Sequence, residues 1–181
     1  MEKPRLVVVG SKALLFDVEK GNELFRKYFG KPFAVPKPKP DMRYEGPFVL
    51  SLYEALYLCR KGVVEIVLEG RTASCSDLEE YASRLIEGFA ERYKVFEDLR
   101  ERGYIVRSGM KFGTDFTVYE IGPGYEHAPY LVAVVREDEK FDPISIVRMG
   151  RVSHSVRKKL VLAIVGRDSK PTYLVFSWVK I

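Results

Sequence analysis

Short apolar runs at residues 5–9, 13–16, 63–68, 104–107, 116–121, 130–135, 160–165 and 173–179 are rich in β-branched and aromatic side chains. Most are bounded by glycine or proline, and each reads as a strand. Between them the period lengthens to that of a helix. Residues 18–29 follow Asp17, whose short carboxylate suits a helix N-cap. Residues 50–62 space Leu52, Ala55, Leu56 and Cys59 on one face and end in Arg60, Lys61 and Gly62, which suit the negative carbonyl end of a helix. Ser76 with Glu79 has capping-box spacing, and Leu78, Tyr81, Ala82, Leu85 and Phe89 keep the following face apolar. That pattern runs on through Phe96 and Leu99 to Gly103, interrupted at Gly88. Asp142 and Pro143 read as N-cap and first turn of a last helix carrying Ile146, Met149, Val152 and Val156.

These elements order as α/β. The first two strands form a hairpin across Gly10, and residues 30–46 hold four prolines, which exclude regular helix or central strand and mark a loop or insertion. A boundary near Ile86 divides the chain into residues 1–86, a small N-terminal α/β domain, and residues 87–181, a C-terminal domain with a central mixed sheet flanked by helices. Residues 160–165 and 173–179 pair as its closing strands. No internal repeat or low-complexity tract is visible.

Composition narrows the class. With 46% hydrophobic residues in 181, a real core is expected and disorder is not. The excess of 30 Lys and Arg over 25 Asp and Glu favours an anionic partner. Cys59 and Cys75 are spaced for neither a zinc site nor a disulfide framework, so Cys59 is expected to pack as a small apolar residue in a reduced, cytoplasmic setting. No window is long and apolar enough for a bilayer, and no membrane is expected as partner. Glutamine is absent and Asn22 is the sole asparagine beside 30% charged residues, a balance that points to a thermophilic source.

The residues able to carry chemistry lie late in the chain. Tyr119 ends GMKFGTDFTVY, His127 follows the Gly-Pro-Gly loop of IGPGYEH, and Lys158 lies in RVSHSVRKK where a helix gives way to a strand. RNA contains its own nucleophile, the 2′-hydroxyl. An enzyme acting on it needs a group to take one proton, a group to supply another to the leaving 5′-oxygen, and a cation for the crowded phosphorane. A phenol, an imidazole and an ammonium fill those needs without metal or cofactor. Each also has an ordinary explanation. The chain has eleven tyrosines, most of which must simply pack, and a basic run such as Arg157 to Lys159 is commonly a solvated face. His154, inside the last helix, is an ordinary capped or packed side chain on this reading.

Taken together, YKVFEDLRERGYIVRSGMKFGTDFTVYEIG, EHAPYLVAVV and RVSHSVRKKLVLAIV resemble, in order and spacing, the catalytic domain of archaeal tRNA-intron splicing endonucleases. The resemblance covers nearly all of residues 87–181 and, more weakly, the LSLYEALYL helix. It implies that Tyr119 is the general base, His127 the general acid and Lys158 the phosphorane stabiliser. The implied products carry a 2′,3′-cyclic phosphate and a 5′-hydroxyl, and the implied substrate is precursor tRNA with a bulge-helix-bulge. Arg151 and Trp178 match positions that hold a flipped-out base, although Trp178 can equally finish the core of the last strand. Glu137, Asp138 and Glu139 resemble an acidic loop that docks into a basic cleft of a neighbouring subunit. The proline-rich insert, with Lys37, Lys39 and Arg43, is longer than compact homotetrameric members need. It resembles the extra loop of members that assemble two-by-two with a separate structural subunit, and its lysines are candidates to reach RNA. A homotetramer and a heterotetramer both remain open on the sequence. A phenol with an unperturbed pKa of about 10 is a poor base at neutral pH, and a nearby ammonium would correct that.

Two rivals follow from the same residues. A metal-dependent DNA nuclease or junction resolvase would use Asp115 with Asp138, Glu139 and Lys140 around magnesium. A non-catalytic structural subunit of an RNA-processing complex would have no reason to keep Tyr119, His127 and Lys158 together.

Overall fold

Gly10, at φ +54°, turns the chain between β1 (Arg5–Val9) and β2 (Lys12–Leu15), the hairpin the apolar runs predict. The computed structural model describes residues 3–140, 142–167 and 170–177. The chain divides into two compact units, Met1–Ala90 and Glu91–Ile181.

In the first unit, α1 (Val18–Arg26) starts where Asp17 accepts the Lys20 N–H at 3.0 Å. It stops short of residue 29, because Lys27 caps it and Tyr28 takes φ +61°. Gly21 is obligatory within it, since a Cβ would lie 2.1 Å from the buried Phe48 ring. The proline-rich segment adds only the two-residue β3 (Lys31–Pro32), at the sheet edge where a missing N–H is harmless. The rest of the segment is tied back to α1. Asn22 donates its amide to the Tyr44 carbonyl at 2.9 Å and accepts the Tyr44 N–H at 2.9 Å, and Arg43 pairs with Glu19 at 2.6 Å.

Three further expectations for this unit need correction. Leu50 and Ser51 belong to strand β4 (Phe48–Ser51), and α2 runs over Leu52–Arg60, started by a capping box between Ser51 and Glu54. The chain then forms a second hairpin, β5 (Glu65–Leu68) with β6 (Arg71–Ala73). Helix α3 (Cys75–Leu85) begins two residues before the Ser76 reading, capped by Ser74 with Asp77. That hairpin and early start return Cys75 to the last turn of α2, where Cys59 and Cys75 form a disulfide with Cα atoms 5.8 Å apart. The expectation of two unpaired cysteines is therefore overturned, and the reduced setting inferred from it loses its premise. The pairing was invisible because the sequence separation of 16 is bridged by a hairpin rather than by a cysteine-framework spacing. The sheet order is β3-β4-β2-β1-β5-β6, with β1 and β5 parallel and the other pairs antiparallel.

Ile86 leaves α3 in an extended conformation and Gly88 takes φ +65°, so the apolar run splits into α3 and α4 (Phe89–Glu101). The second unit is a five-stranded mixed sheet in the order β11-β10-β9-β8-β7. Its strands are β7 (Ile105–Ser108), β8 (Phe116–Tyr119), β9 (Tyr130–Arg136), β10 (Lys159–Val165) and β11 (Thr172–Phe176). β9 and β10 are parallel and joined through α5 (Pro143–Ser155), which Asp142 caps by accepting the Ile144 N–H at 3.1 Å. Tyr93, Val95, Phe96 and Leu99 of α4 are buried, as are Leu131, Val132, Leu160 and Leu162 of the two central strands. Asp115 ties α4 to the sheet: Arg92 donates to one oxygen, and the Val134 N–H reaches the other at 2.7 Å. Among the described residues no helix is long and apolar enough to cross a membrane.

Candidate active site

Strand register places Tyr119 and Lys158 at the same end of the sheet, with His127 in the loop that enters it there. Val118 of β8, Tyr130 of β9 and Lys159 of β10 lie opposite one another in one row across the sheet. Strands lie roughly 5 Å apart, so that row spans about 10 Å. Tyr119 follows its first member and Lys158 precedes its last. His127 precedes Tyr130 by three residues, in the loop that enters β9.

Local chain chemistry delivers each side chain to this rim. Tyr119 ends its strand half-buried. The hairpin before it is tightened at Gly109, where a Cβ would meet the Thr114 hydroxyl at 2.5 Å and Phe116 backbone at 2.8 Å. The 3₁₀ turn Met110–Phe112 then places the Phe112 ring centroid 5.6 Å from the Lys158 ammonium, a cation–π contact. Arg157, at φ +56°, ends α5, and the Lys158 N–H donates to the Ser153 carbonyl at 2.8 Å. From there the half-buried Lys158 ammonium donates to the Ala128 carbonyl at 2.7 Å, so the cation is fixed to the residue following His127. Burial lowers the pKa of this lysine from its ordinary value. The His127 side chain is exposed.

Two acidic residues missed in the sequence reading shape the same rim. Glu126 Oε1 accepts the backbone N–H groups of Glu120, Ile121 and Gly122 at 2.6, 2.6 and 3.2 Å, and these bonds, that of Ile121 foremost, lower its carboxyl pKa. Glu120 accepts the Tyr130 hydroxyl at 2.8 Å, which raises the pKa of that phenol. The available signal was an acid placed just after Gly-Pro-Gly, where a loop turning on glycines exposes N–H groups in need of an anion.

None of the remaining candidates belongs to this row, and one lies outside the described residues. Arg151 is an exposed residue of α5. Trp178 lies outside the described residues. Lys37 and Lys39 are exposed in the first unit, with the Lys39 N–H donating to the Tyr44 hydroxyl at 2.7 Å. Glu137, Asp138 and Glu139 are exposed at the far end of β9, where the Glu137 N–H donates to the Val165 carbonyl at 3.0 Å and Arg136 lies 3.5 Å from Asp138. The carboxylates of the metal-dependent rival are dispersed. Asp115 is engaged by Arg92 and Val134, and among the described residues no three His, Cys, Asp or Glu side chains gather as a metal site.

Residues 5–79 match the N-terminal domain of tRNA intron endonucleases, and residues 89–173 match their catalytic C-terminal domain. The chain is 48% identical over 179 residues to a tRNA-splicing endonuclease of Hyperthermus butylicus, covering 97% of this chain and 98% of that one. It is 43% identical over 176 residues to one of Sulfolobus acidocaldarius, covering 96% and 97%. A Saccharolobus islandicus tRNA-splicing endonuclease is 44% identical over 179 residues, covering 97% and 98%. The chain belongs to the tRNA intron endonuclease family.

Proposed function

We propose that this chain is the catalytic subunit of an endonuclease that excises introns from precursor tRNA at bulge-helix-bulge sites without a metal ion. Tyr119 takes the proton of the 2′-hydroxyl, whose oxygen attacks the adjacent phosphorus. His127 protonates the departing 5′-oxygen as the P–O5′ bond breaks. Lys158 offsets the extra negative charge of the phosphorane. The fragments carry a 2′,3′-cyclic phosphate and a 5′-hydroxyl, because an internal nucleophile leaves the phosphate bridged.

The observation that carries this reading is the 2.7 Å bond from the Lys158 ammonium to the Ala128 carbonyl, beside His127 and in the row that begins next to Tyr119. A cation held there by backbone is preorganised, and so does not have to be reoriented as charge develops. Arg151 and Trp178 hold the flipped-out base, while Lys37 and Lys39 contact RNA phosphates, and those phosphate contacts make binding fall with salt.

The test is single-turnover cleavage of a bulged precursor RNA in EDTA. Wild-type protein, supplied with a structural partner subunit if the chain alone is silent, cleaves and leaves cyclic phosphate ends. Y119F, H127A and K158A each lose ~10²- to ~10⁴-fold in rate while RNA affinity stays within a few-fold. Cleavage that vanishes in EDTA, or any of the three variants at wild-type rate, would overturn the assignment.

A further inference from the structure

We infer that Glu126 is a positioning residue for His127: its carboxylate closes the loop between β8 and β9 into a ring and so fixes where the imidazole can stand. This rests on the proposed role of His127 as the acid. Residues 120–127 form the only chain between Tyr119 and Ala128, and the loop contains Gly122 and Gly124 at φ +138° and +100°. Glycine-rich backbone of this kind has little of its own to hold it still. The compensation is concentrated on one atom. Oε1 of Glu126 gathers the N–H groups of Glu120, Ile121 and Gly122, while the Tyr125 and Glu126 N–H groups both return to the Gly122 carbonyl at 3.2 Å. The carboxylate thus ties the loop's exit to its entrance immediately beyond Tyr119.

His127 consequently stands between two fixed neighbours. On one side is Glu126, bonded to the end of the strand that carries Tyr119. On the other is Ala128, buried and bonded through its carbonyl to Lys158. Without the first anchor the imidazole would swing about Ala128, and an acid displaced by an ångström donates poorly. The charge matters because one oxygen serves three donors, a load that an ionised carboxylate carries better than a neutral amide.

The expectation separates cleanly with two substrates. One is the bulged RNA. The other is the same RNA with the bridging 5′-oxygen of the scissile linkage replaced by sulfur, whose thiolate leaves without needing a proton. In single-turnover cleavage E126A should lose roughly 10- to 100-fold on the oxygen substrate, part of the ~10²- to ~10⁴-fold that proton transfer supplies, and E126Q, which keeps an acceptor oxygen, should recover a large part of it. On the sulfur substrate E126A, E126Q and H127A should all approach the wild-type rate. Thermal unfolding checks that each variant is folded, and E126Q gives the reading if E126A is not. An E126A defect of equal size on both substrates, or on neither, with H127A still rescued by sulfur, overturns the inference about Glu126 alone. If H127A itself is not rescued by sulfur, the acid assignment fails and the inference falls with it.

Discussion

Eleven tyrosines look alike in the chain, and their chemistry is set by what each hydroxyl meets. Tyr173 of β11 donates to Asp98 of α4 at 2.7 Å, where Arg102 also binds the same carboxylate at 2.8 Å. Burial, and then the bond to Asp98, push this phenol far above its ordinary value. The fold therefore keeps a proton that the unfolded chain releases near pH ~10. The stabilisation is fully present below that pH and is lost as pH rises beyond it. Y173F should cost about 1 kcal/mol near pH 8, and the advantage of wild type should shrink and then reverse by about pH 11. Urea unfolding of both proteins at the two pH values checks this, and a difference that does not move with pH would show that Tyr173 is not held protonated by Asp98. The same dependence on neighbours explains what was legible at the site. Tyr119, His127 and Lys158 stand out as candidates by residue type and order, and their roles belong to the proposal. Glu126, Phe112 and the Ala128 carbonyl do not stand out, because their part depends on register and loop closure rather than on any pattern in the sequence.

At the scale of elements, periodicity made the helices and strands readable, and their ends were misplaced where two local signals competed. Leu50 continues the apolar rhythm of α2 and equally the alternation of β4, and pairing with Ala13 of β2 assigns it to the strand. Ser74 with Asp77 and Ser76 with Glu79 have the same capping spacing, so local chemistry allows either start. The structure uses the first, with both reciprocal bonds present, and Glu79 instead pairs with Arg60 across the two helices at 2.6 Å. The Cys59–Cys75 bond joins the same two helices and closes a loop with a sequence separation of 16. A covalent closure of that size removes about 3 kcal/mol worth of unfolded-chain freedom. Replacing both cysteines by serine should lower denaturant stability by roughly that amount, and reductant should have the same effect on the wild type alone. Thiol titration of the native protein gives the direct check. Two reactive thiols, with no stability change on substitution, would mean the bond does not form in solution.

The whole molecule poses the question of assembly. The row beside which Tyr119, His127 and Lys158 stand lies where β9 begins, and the acidic loop begins where β9 ends, seven residues later. At about 3.3 Å per residue this strand keeps the two roughly 20 Å apart. Glu137, Asp138 and Glu139 are thus exposed at the other end of this strand from the site on their own chain. An intron has two ends, and cutting both at a set spacing requires two sites held in fixed relation, which one chain with one site does not provide. We therefore expect the acidic loop to serve assembly, docking on the basic surface of another subunit. Reversing its charge in the triple variant E137K, D138K, E139K should lower the assembled mass in sedimentation velocity and abolish paired cutting of the intron. The circular dichroism of the chain should be unchanged, because all three side chains are exposed. Raising salt should weaken wild-type assembly in the same direction, since exposed charges more than ~10 Å apart are screened at 0.1 M. The two effects need not match in size, because docking would bring some of the charges closer than that. A triple variant that keeps the wild-type mass and still cuts at both ends would remove the loop from the assembly altogether. In that case the spacing between sites would have to be set by contacts made elsewhere on the chain.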